Sequence, residues 1–363
     1  METYTRKLAS IQQINGVYPI VGADRICQYG INGWRVVDQV GKYGTGDKVI
    51  FCEVDSWISN ELCSFLTKPG HSPKEFNSIL GQRLRTVKLR GALSQGLILP
   101  MSVMGIEFYK DRDSRGLDNC WVKTIGPKVL GATDKIGADV SEFLGIVKWE
   151  LPPDYFQADQ KGNFPTFLFK SDQERIQNCY DDLLPVFATE TFEVQEKMEG
   201  QSHTVYFNNG EFGVCSRNFD LKDSDNTFWN SARKYDMETK LRALGCNIAV
   251  ISEQCGPGIG GNIYKLTEHQ LFVFDIFDID QQEYLKPKDR VALVNELGLT
   301  SATVLASDYV FNGISCDAIL AYADGGSVVG FTNTLREGLV FKANSKARVS
   351  FKAVSNKYLC LQK

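Results

Sequence analysis

Residues 1–100 consist of short β-type runs separated by glycine-containing turns, and no other feature restricts the fold of this chain as strongly. The runs at 7–11, 34–40 and 48–54 have the apolar residues expected of strands. Asn15-Gly16 and Asn32-Gly33 fall between runs, and Asn-Gly is a strong signal for a hairpin turn. Several short strands at this spacing predict a small β-barrel.

The densest basic group of the chain lies within the predicted barrel and comprises Arg83, Arg85, Lys88 and Arg90. Barrels of the OB type bind single strands or duplex backbones through basic strands and loops. The net charge of −4 argues against a general polyanion binder but leaves room for a local basic groove. Neighbouring cations repel unless an anion neutralises them. The sequence therefore leaves two interpretations of this basic group open: a solvated strand face without a partner, or a site that binds nucleic-acid phosphates.

The cysteines predict buried thiols and no metal site. The chain has 10 cysteines, scattered and without a Cys-x-x-Cys pair, and only 3 histidines. A zinc site is therefore not expected, and reduced core thiols are typical of a cytoplasmic protein. No apolar run approaches the roughly 18 residues of a membrane helix. We expect a cytoplasmic protein that does not contact a membrane.

A change of pattern predicts a second domain. Residues 101–163 are rich in loop-forming residues and include Pro152-Pro153, which favours a linker. We expect a domain boundary near Phe164, which gives domains 1–163 and 164–363. Ser171 and Glu174 have the spacing of a capping box and predict that a helix starts there.

The second domain mixes strands and helices without regular alternation. Strand-type runs lie at 247–253, 271–277, 338–342 and 348–352. Helical patterns cover 226–244 and 288–297. This arrangement predicts an α+β domain and not the repeated βαβ units of a dinucleotide-binding sheet.

One lysine of the second domain stands out by its position. A β-type run ends at Lys197, a polar turn closes at Gly200, and a second β-type run follows. Such a lysine can be a surface charge, or a nucleophile that attacks electrophilic phosphorus when its amine is neutral. Lys-x-x-Gly also occurs at Lys88, Lys123 and Lys128, so this motif alone does not decide between them.

A series of motifs in fixed order favours the nucleophile. They are Glu196-Lys197-x-x-Gly200, Ser216-Arg217-Asn218, Ser252-Glu253, Phe274-Asp275-Ile276, Glu337-Gly338 continuing to Lys342, and Ser350-Phe351-Lys352. This series resembles that of the covalent nucleotidyltransferases, the superfamily of ATP-dependent ligases and mRNA capping enzymes. The similar branch is the Deinococcus-type RNA ligases, and the resemblance covers nearly the whole chain.

The resemblance implies a fold and an activity. The fold would be α+β, an N-terminal OB-type β-barrel followed by an adenylyltransferase domain of antiparallel sheets with flanking helices. The activity would be ATP-dependent sealing of 3′-hydroxyl/5′-phosphate nicks through a lysyl–AMP intermediate. The partners would be ATP, Mg²⁺ or Mn²⁺, and a nicked RNA or RNA/DNA duplex bound by a monomer.

The resemblance also implies a role for each motif residue. Lys197 would be the nucleophile, assisted by Lys352 and Glu337. The metal would contact Glu337 and also Glu199, a position where the branch favours Asp. Phe274 would stack on adenine, although an aromatic in so apolar a strand is otherwise a core residue. The full ATP-binding set would be Glu196, Lys197, Gly200, Arg217, Glu253, Phe274, Lys342 and Lys352.

Individual contacts follow from the same resemblance. Glu253 would hold the ribose hydroxyls and Arg217 would contact a phosphate with bidentate geometry. Lys342 and Lys352 would neutralise charge on the α-phosphate. Ser350 occupies a place where many relatives carry a second lysine, and Lys342 or Lys357 would supply the missing charge.

Three alternatives remain at this stage. A capping-type guanylyltransferase or a DNA ligase would be expected to carry its OB module after the nucleotidyltransferase domain. A non-catalytic nucleic-acid binder on the same scaffold would not need Lys197, Glu253, Glu337 and Lys352 together.

Overall fold

The computed structural model describes residues 6–112, 118–124, 135–150, 159–170, 172–330, 334–346 and 349–361. The chain divides into two compact units, Met1–Pro152 and Pro153–Lys363. Residues Gln160–Asn163, directly before Phe164, form a strand that pairs with a strand of the second unit.

The first unit is made almost entirely of short strands. They are β1 Ala9–Gln13, β2 Gly16–Ile20, β3 Ala23–Ile31, β4 Trp34–Gln39, β5 Lys48–Cys52, β6 Ser56–Ser59, β7 Lys74–Phe76, β8 Ile79–Arg83, β9 Val87–Leu89, β10 Ala92–Ser94, β11 Leu97–Pro100, β12 Ile106–Arg112, β13 Asp118–Thr124 and β14 Val147–Lys148. Short 3₁₀ helices cover Ser64–Leu66 and Met101–Met104. The sheets have the orders β1-β5-β11, β2-β3-β4 and β14-β6-β8-β7, with two separate hairpins, β9-β10 and β12-β13.

The two Asn-Gly signals have different outcomes. Asn32 and Gly33 both have positive φ, 46° and 82°, and join β3 to β4. This tight turn is confirmed, since positive φ at both central residues matches the twist of a hairpin. Asn15 instead donates its backbone N–H to the carbonyl of Gly30, so Asn15-Gly16 leads into β2 without forming a hairpin with β1.

The second unit contains two antiparallel sheets and six helices within the described residues. Its strands are β15 Gln160–Asn163, β16 Glu174–Arg175, β17 Phe192–Lys197, β18 Gln201–Asn208, β19 Glu211–Cys215, β20 Phe219–Leu221, β21 Ile248–Cys255, β22 Gln270–Asp278, β23 Glu283–Tyr284, β24 Val304–Tyr309, β25 Gly338–Ala343 and β26 Ser350–Val354. Its helices are α1 Ile176–Phe187, α2 Thr227–Lys234, α3 Met237–Leu244, α4 Pro287–Glu296, α5 Cys316–Ala323 and α6 Asn356–Leu361. The α+β class predicted for the chain is confirmed.

The two sheets have different partners. The seven-stranded sheet has the order β15-β20-β19-β18-β21-β22-β23, and α2, α3 and α4 contribute to its apolar core. The five-stranded sheet has the order β16-β26-β25-β17-β24 and packs with α1 and α5. Among the named strands of the described residues, the short pair β16–β26 is parallel, and an isolated parallel bridge joins Val273 to Ser301. Strands β17 and β18 belong to different sheets, so the turn between them, which contains the Lys-x-x-Gly motif, crosses from one sheet to the other.

Two helix predictions need correction. Residues 226–244 form two helices instead of one, because Asp236 adopts the left-handed conformation with φ 52° and ends the first helical run. Helix α1 starts at Ile176 and not at the capping box, of which Ser171 lies outside the described residues. Glu174 lies in β16, and its carboxylate accepts from the Arg175 N–H and the Asn178 amide. Helix α4, predicted at 288–297, is confirmed with Pro287 at its first turn.

His203 and most of the described cysteines lie in the protein core. Burial lowers the pKa of His203 to about 4, and its ring stacks on Phe228. Seven of the described cysteines are buried, and burial raises the pKa of Cys63 to about 11. Such thiols are chemically inert. Among the described residues no helix has the length and apolar character required to cross a membrane.

Candidate active site

The predicted nucleophile lies where two paired strands end. Lys197 is the last residue of β17 and faces Gly338, the first residue of β25. Glu337 immediately precedes Gly338, and its Oε1 lies 2.8 Å from Lys197 Nζ. The side chains are 25% and 20% exposed, so the ion pair is accessible to a ligand. The register thus brings together two residues 140 positions apart in the sequence.

Gly200 is required for the close approach of the turn to β21. A Cβ added at Gly200 would lie 2.9 Å from Glu253 Cγ and closer still to the carbonyl oxygen of Gln254. Such a contact is sterically excluded. The glycine of the Lys-x-x-Gly sequence at Lys88 has a different role, since Gly91 has φ 82° and no atom within 4 Å of an added Cβ.

Glu253 is the carboxylate whose protonation the site perturbs most. It lies on β21, with Ser202 of β18 and Phe272 of β22 as its neighbours in register. Burial raises the pKa of Glu253 to about 7, the attraction of Lys197 opposes this, and the repulsion of Glu337 adds to it. The coupling indicates that the three groups share one region. Glu253 can therefore accept or donate a hydrogen bond near neutral pH.

Lys352 adds a second cation to the same region. It lies on β26, opposite Val340 of β25 and beside Arg175 of β16. Burial lowers the pKa of Lys352 to about 8, and repulsion by Lys197 and Arg175 acts in the same direction. Lys352 is thus electrostatically coupled to Lys197, and its charge is held only below about pH 8. Arg175 had not been predicted here, and the parallel pairing that places it has no sequence signal.

Phe274 lies at an irregularity of β22. The register of β21 with β22 pairs Ile251 with Asp275 and Ser252 with Val273. Phe274 is therefore the extra residue of a β-bulge. Such bulges re-aim side chains and are common beside active sites. The ring is half-buried. Part of it packs against two apolar clusters, and part of it remains accessible.

Lys342 is directed away from the Lys197–Glu337 pair. Its Nζ donates to Asp275 Oδ1 at 2.5 Å and to the carbonyl of Phe274. Burial lowers the pKa of Lys342, whereas the attraction of Asp275 raises it and Arg290 lowers it further. The side chain, predicted from sequence to contact the α-phosphate, has buried protein partners in this structure.

Two motif glutamates are held by loops that the sequence had not singled out. Glu196 accepts from the N–H of Val328 at 2.9 Å and from the Ser327 hydroxyl at 2.5 Å, and burial raises its pKa. Glu199 Oε1 accepts from the N–H of Gly261 at 2.7 Å. Its Oε2 is buried and has no hydrogen-bond partner among the described residues. The Gly-rich run at 256–261 was the available signal for the second loop.

Arg217 lies at the exposed side of this region. It pairs with Asp172 at 2.7 Å, and both side chains are exposed. Its charge also acts on Glu253, whose pKa it lowers against the effect of burial. An exposed pair of this kind contributes little stability, so the guanidinium can exchange Asp172 for an anionic ligand.

The predicted basic group belongs to the first unit. Arg83 is engaged within the protein, since it pairs with Asp55 at 2.5 Å and stacks over Trp149 with its guanidinium carbon 3.9 Å from the ring centroid. Arg85, Lys88 and Arg90 are exposed. Arg90 and Gly91, with φ 52° and 82°, form the turn of the β9–β10 hairpin.

The site offers a partial donor set for a divalent cation. In the described ranges, no three His, Cys, Asp or Glu side chains form a complete metal cage. Mg²⁺ usually keeps several waters and binds through one or two carboxylates together with substrate phosphates. Glu337 is accessible, and the buried unpaired Oε2 of Glu199 is a second carboxylate oxygen of the required type. The residues therefore fit a largely hydrated ion.

Comparison with known proteins finds two families that match parts of this chain. The RNA ligase family matches residues 190–354, and an OB-fold domain family matches residues 8–101. No curated protein sequence gives a match.

Several solved structures of Naegleria gruberi RNA ligase are similar to this chain along its length. A mutant in its apo form is 36% identical with a TM-score of 0.75, covering 98% of each chain. A mutant with AMP and Mn is 36% identical with a TM-score of 0.76 and the same coverage. The ligase with PPi is 37% identical with a TM-score of 0.74 and again covers 98% of each chain.

Proposed function

This chain belongs to the RNA ligase family, and from that premise we propose that it is an ATP-dependent enzyme that seals 3′-hydroxyl/5′-phosphate nicks through a lysyl–AMP intermediate. The observation that carries the proposal is the accessible Lys197–Glu337 pair at 2.8 Å, electrostatically coupled to Glu253 and Lys352. The structures of Naegleria gruberi RNA ligase with ATP and Mn, and with PPi, support ATP and a divalent cation as ligands here.

In the first step Lys197 takes an adenylyl group. Lys197 Nζ loses a proton to water and attacks the α-phosphorus of ATP. The N–P bond forms, the bond from the α-phosphorus to the bridging oxygen breaks, and pyrophosphate leaves. Lys352 neutralises charge that develops on the α-phosphate, and the catalysis is mainly by positioning and by charge stabilisation.

Two further transfers complete the reaction. A 5′-phosphate oxygen of the nucleic acid attacks the α-phosphorus, the N–P bond breaks and Lys197 regains its proton. The 3′-hydroxyl oxygen then attacks the activated 5′-phosphate, forms the phosphodiester bond and expels AMP, while its proton is lost to solvent. No oxidant or reductant is needed, and the energy comes from the ATP phosphoanhydride.

The other residues bind and orient the nucleotide. Phe274 stacks on adenine, Glu253 holds the ribose hydroxyls and Arg217 contacts a phosphate. Glu196 and Gly200 shape the turn around Lys197. Glu337, with Glu199, would hold the divalent cation, which would supply positive charge to offset that of the phosphates.

The first unit supplies the nucleic-acid contacts in this proposal. The first unit, which the sequence predicted to extend to residue 163, forms the binding module, the second unit is the nucleotidyltransferase domain, and the protein acts as a monomer. The buried, inert thiols support a cytoplasmic setting. Arg85, Lys88 and Arg90 contact backbone phosphates, whereas Arg83 shapes the surface through Asp55 and Trp149.

The basic group gives a prediction about salt dependence. Replacing Arg85 and Arg90 together by alanine is expected to weaken binding of a nicked duplex and to reduce the slope of log K against log salt by about 0.9 for each lost phosphate contact. Titrations at several salt concentrations measure this slope. Arg25, exposed in the same unit but outside the basic group, provides the control, and Arg25→Ala should leave the slope unchanged. Equal slopes for all three proteins would count against this surface.

The pKa of Lys352 gives a prediction about pH. A lysine whose pKa is lowered to about 8 is charged below that pH and neutral above it. We expect kcat/KM for adenylylation of the protein by ATP to fall above about pH 8, because this parameter reports groups of the free enzyme. Lys352→Arg keeps its charge and should lose this fall. Lys346 is an exposed lysine and serves as the control. Lys346→Arg should show the same pH dependence as the wild type. An unchanged falling limb in Lys352→Arg would assign it to another group.

The function itself is tested with nicked duplexes and labelled nucleotides. The protein is incubated with α-labelled ATP or GTP and Mg²⁺, and sealing is then compared on duplexes that differ only in ribose or deoxyribose at the 3′-hydroxyl end. We expect label on the protein from ATP only and faster sealing with ribose. Label from GTP alone would indicate capping chemistry, equal sealing would indicate a DNA ligase, and no label would leave a nucleic-acid-binding role.

A further inference from the structure

The β-bulge at Phe274 has a backbone carbonyl that accepts a hydrogen bond from outside the β21–β22 pair. Because Asp275 pairs with Ile251 and Val273 with Ser252, Phe274 has no partner in register on β21. The extra residue of a bulge is unpaired and free to point its side chain in a new direction. A buried carbonyl without a donor is costly, so a donor from outside the strand pair stabilises the bulge.

Lys342 provides that donor. Its ammonium donates to the Phe274 carbonyl and to Asp275 Oδ1, and so it contacts both residues at the bulge. Nζ also lies 5.5 Å from the centroid of the Phe274 ring. Lysine suits this place because its ammonium has three donors on a long flexible stem, whereas the planar guanidinium of arginine is wider.

The surroundings keep Lys342 in this position. Its exposure is 7%, that of Asp275 is 6%, and Glu193 lies directly across from Lys342 in the β17–β25 register. Glu193 in turn pairs with Arg290. Moving the ammonium to a phosphate would leave Asp275 buried without its cation, and an uncompensated buried charge is strongly unfavourable.

We propose that Lys342 is a positioning residue that fixes the Phe274 bulge and thereby sets the face that stacks on adenine, without contacting the nucleotide phosphates. This inference rests on the proposed function, because it needs adenine at Phe274. The sequence led us to expect that Lys342 contacts a phosphate. In the present inference Lys342 instead affects ATP binding by holding the ring that stacks on adenine.

A double-variant cycle with ATP tests the proposal. The variants are Phe274→Leu, Lys342→Met and the two together, in the full chain, and the readouts are KM and kcat for adenylylation by ATP. Loss of one stacked aromatic is expected to raise KM about tenfold. Lys342→Met should raise KM by a similar factor with kcat nearly unchanged, and should add less than about twofold in the Phe274→Leu background, since residues that act as a unit are not additive.

The opposing outcome is equally defined. If Lys342 contacted the α-phosphate, Lys342→Met would lower kcat and its effect would multiply with that of Phe274→Leu, and this result would overturn the inference. Should Lys342→Met not fold, Lys342→Met with Asp275→Leu removes both buried charges and serves in the same cycle. Absence of labelling in the wild type would instead overturn the proposed function, so the two failures are distinct.

Discussion

Lys197→Met is expected to remove all covalent labelling by α-labelled ATP and to lower sealing of a 5′-phosphate nick by roughly 10³-fold or more, because the nucleophile of the first step is gone. Methionine keeps most of the length and the apolar stem of lysine but has no amine. The measurement is the labelled protein band together with the sealing rate. Retention of the label by this variant would place the adenylyl group on another residue.

A matched control and a bypass sharpen this prediction. Lys88 is also the first residue of a Lys-x-x-Gly sequence, and Lys88→Met should be labelled like the wild type, because Lys88 is an exposed residue of β9 in the first unit and is not part of the motif series. Lys197→Met should still seal a nick whose 5′ end already has its AMP, since the last step does not use the amine. Loss of that sealing as well would indicate a damaged site, not a missing nucleophile.

The parts of the site that could be predicted from sequence are those set by short motifs. Lys197, Gly200 and Glu337 were selected from the motif series, and the structure brings Lys197 and Glu337 to 2.8 Å. The motif series identified Gly200 without explaining it. The structure shows that a side chain at this position would collide with Glu253. Strand runs and the Asn32-Gly33 turn were similarly predictable, since they depend on neighbours in sequence.

The parts that could not be predicted depend on register between distant strands. The bulge at Phe274 follows from a one-residue shift in the pairing register of β21 and β22. No local sequence pattern predicts this shift. Lys342 was expected at a phosphate from its place in the motif series. A position in a motif does not say which way the side chain points. Its contacts with Asp275 became visible only when the two sheets were placed together. The break at Asp236 is local, but a single left-handed residue interrupts a helical pattern without changing its periodicity.

The buried pair Glu193–Arg290 has the largest effect that we expect on stability. Arg290 donates to Glu193 Oε2 at 2.9 Å, and the side chains are 1% and 5% exposed. Arg290→Met would leave Glu193 buried without its partner, which costs about 3–5 kcal/mol. We expect the unfolding transition of the second unit to fall on the order of 10 °C, measured by calorimetry on the full chain. Arg242→Met, which breaks an exposed pair with Glu238, should change stability by less than about 1 kcal/mol.

Removing both charges should restore much of that loss. Arg290 Nε and Glu193 Oε1 are buried and have no hydrogen-bond partner within the described part of the chain, so this ion pair is incompletely satisfied. Apolar residues of similar volume often replace such a pair at little cost. Glu193→Leu with Arg290→Met should therefore unfold at a higher temperature than Arg290→Met alone, while the Lys342–Asp275 pair remains. If the double variant were less stable than the single one, Glu193 would be needed for Lys342, and the four charges would act as one unit.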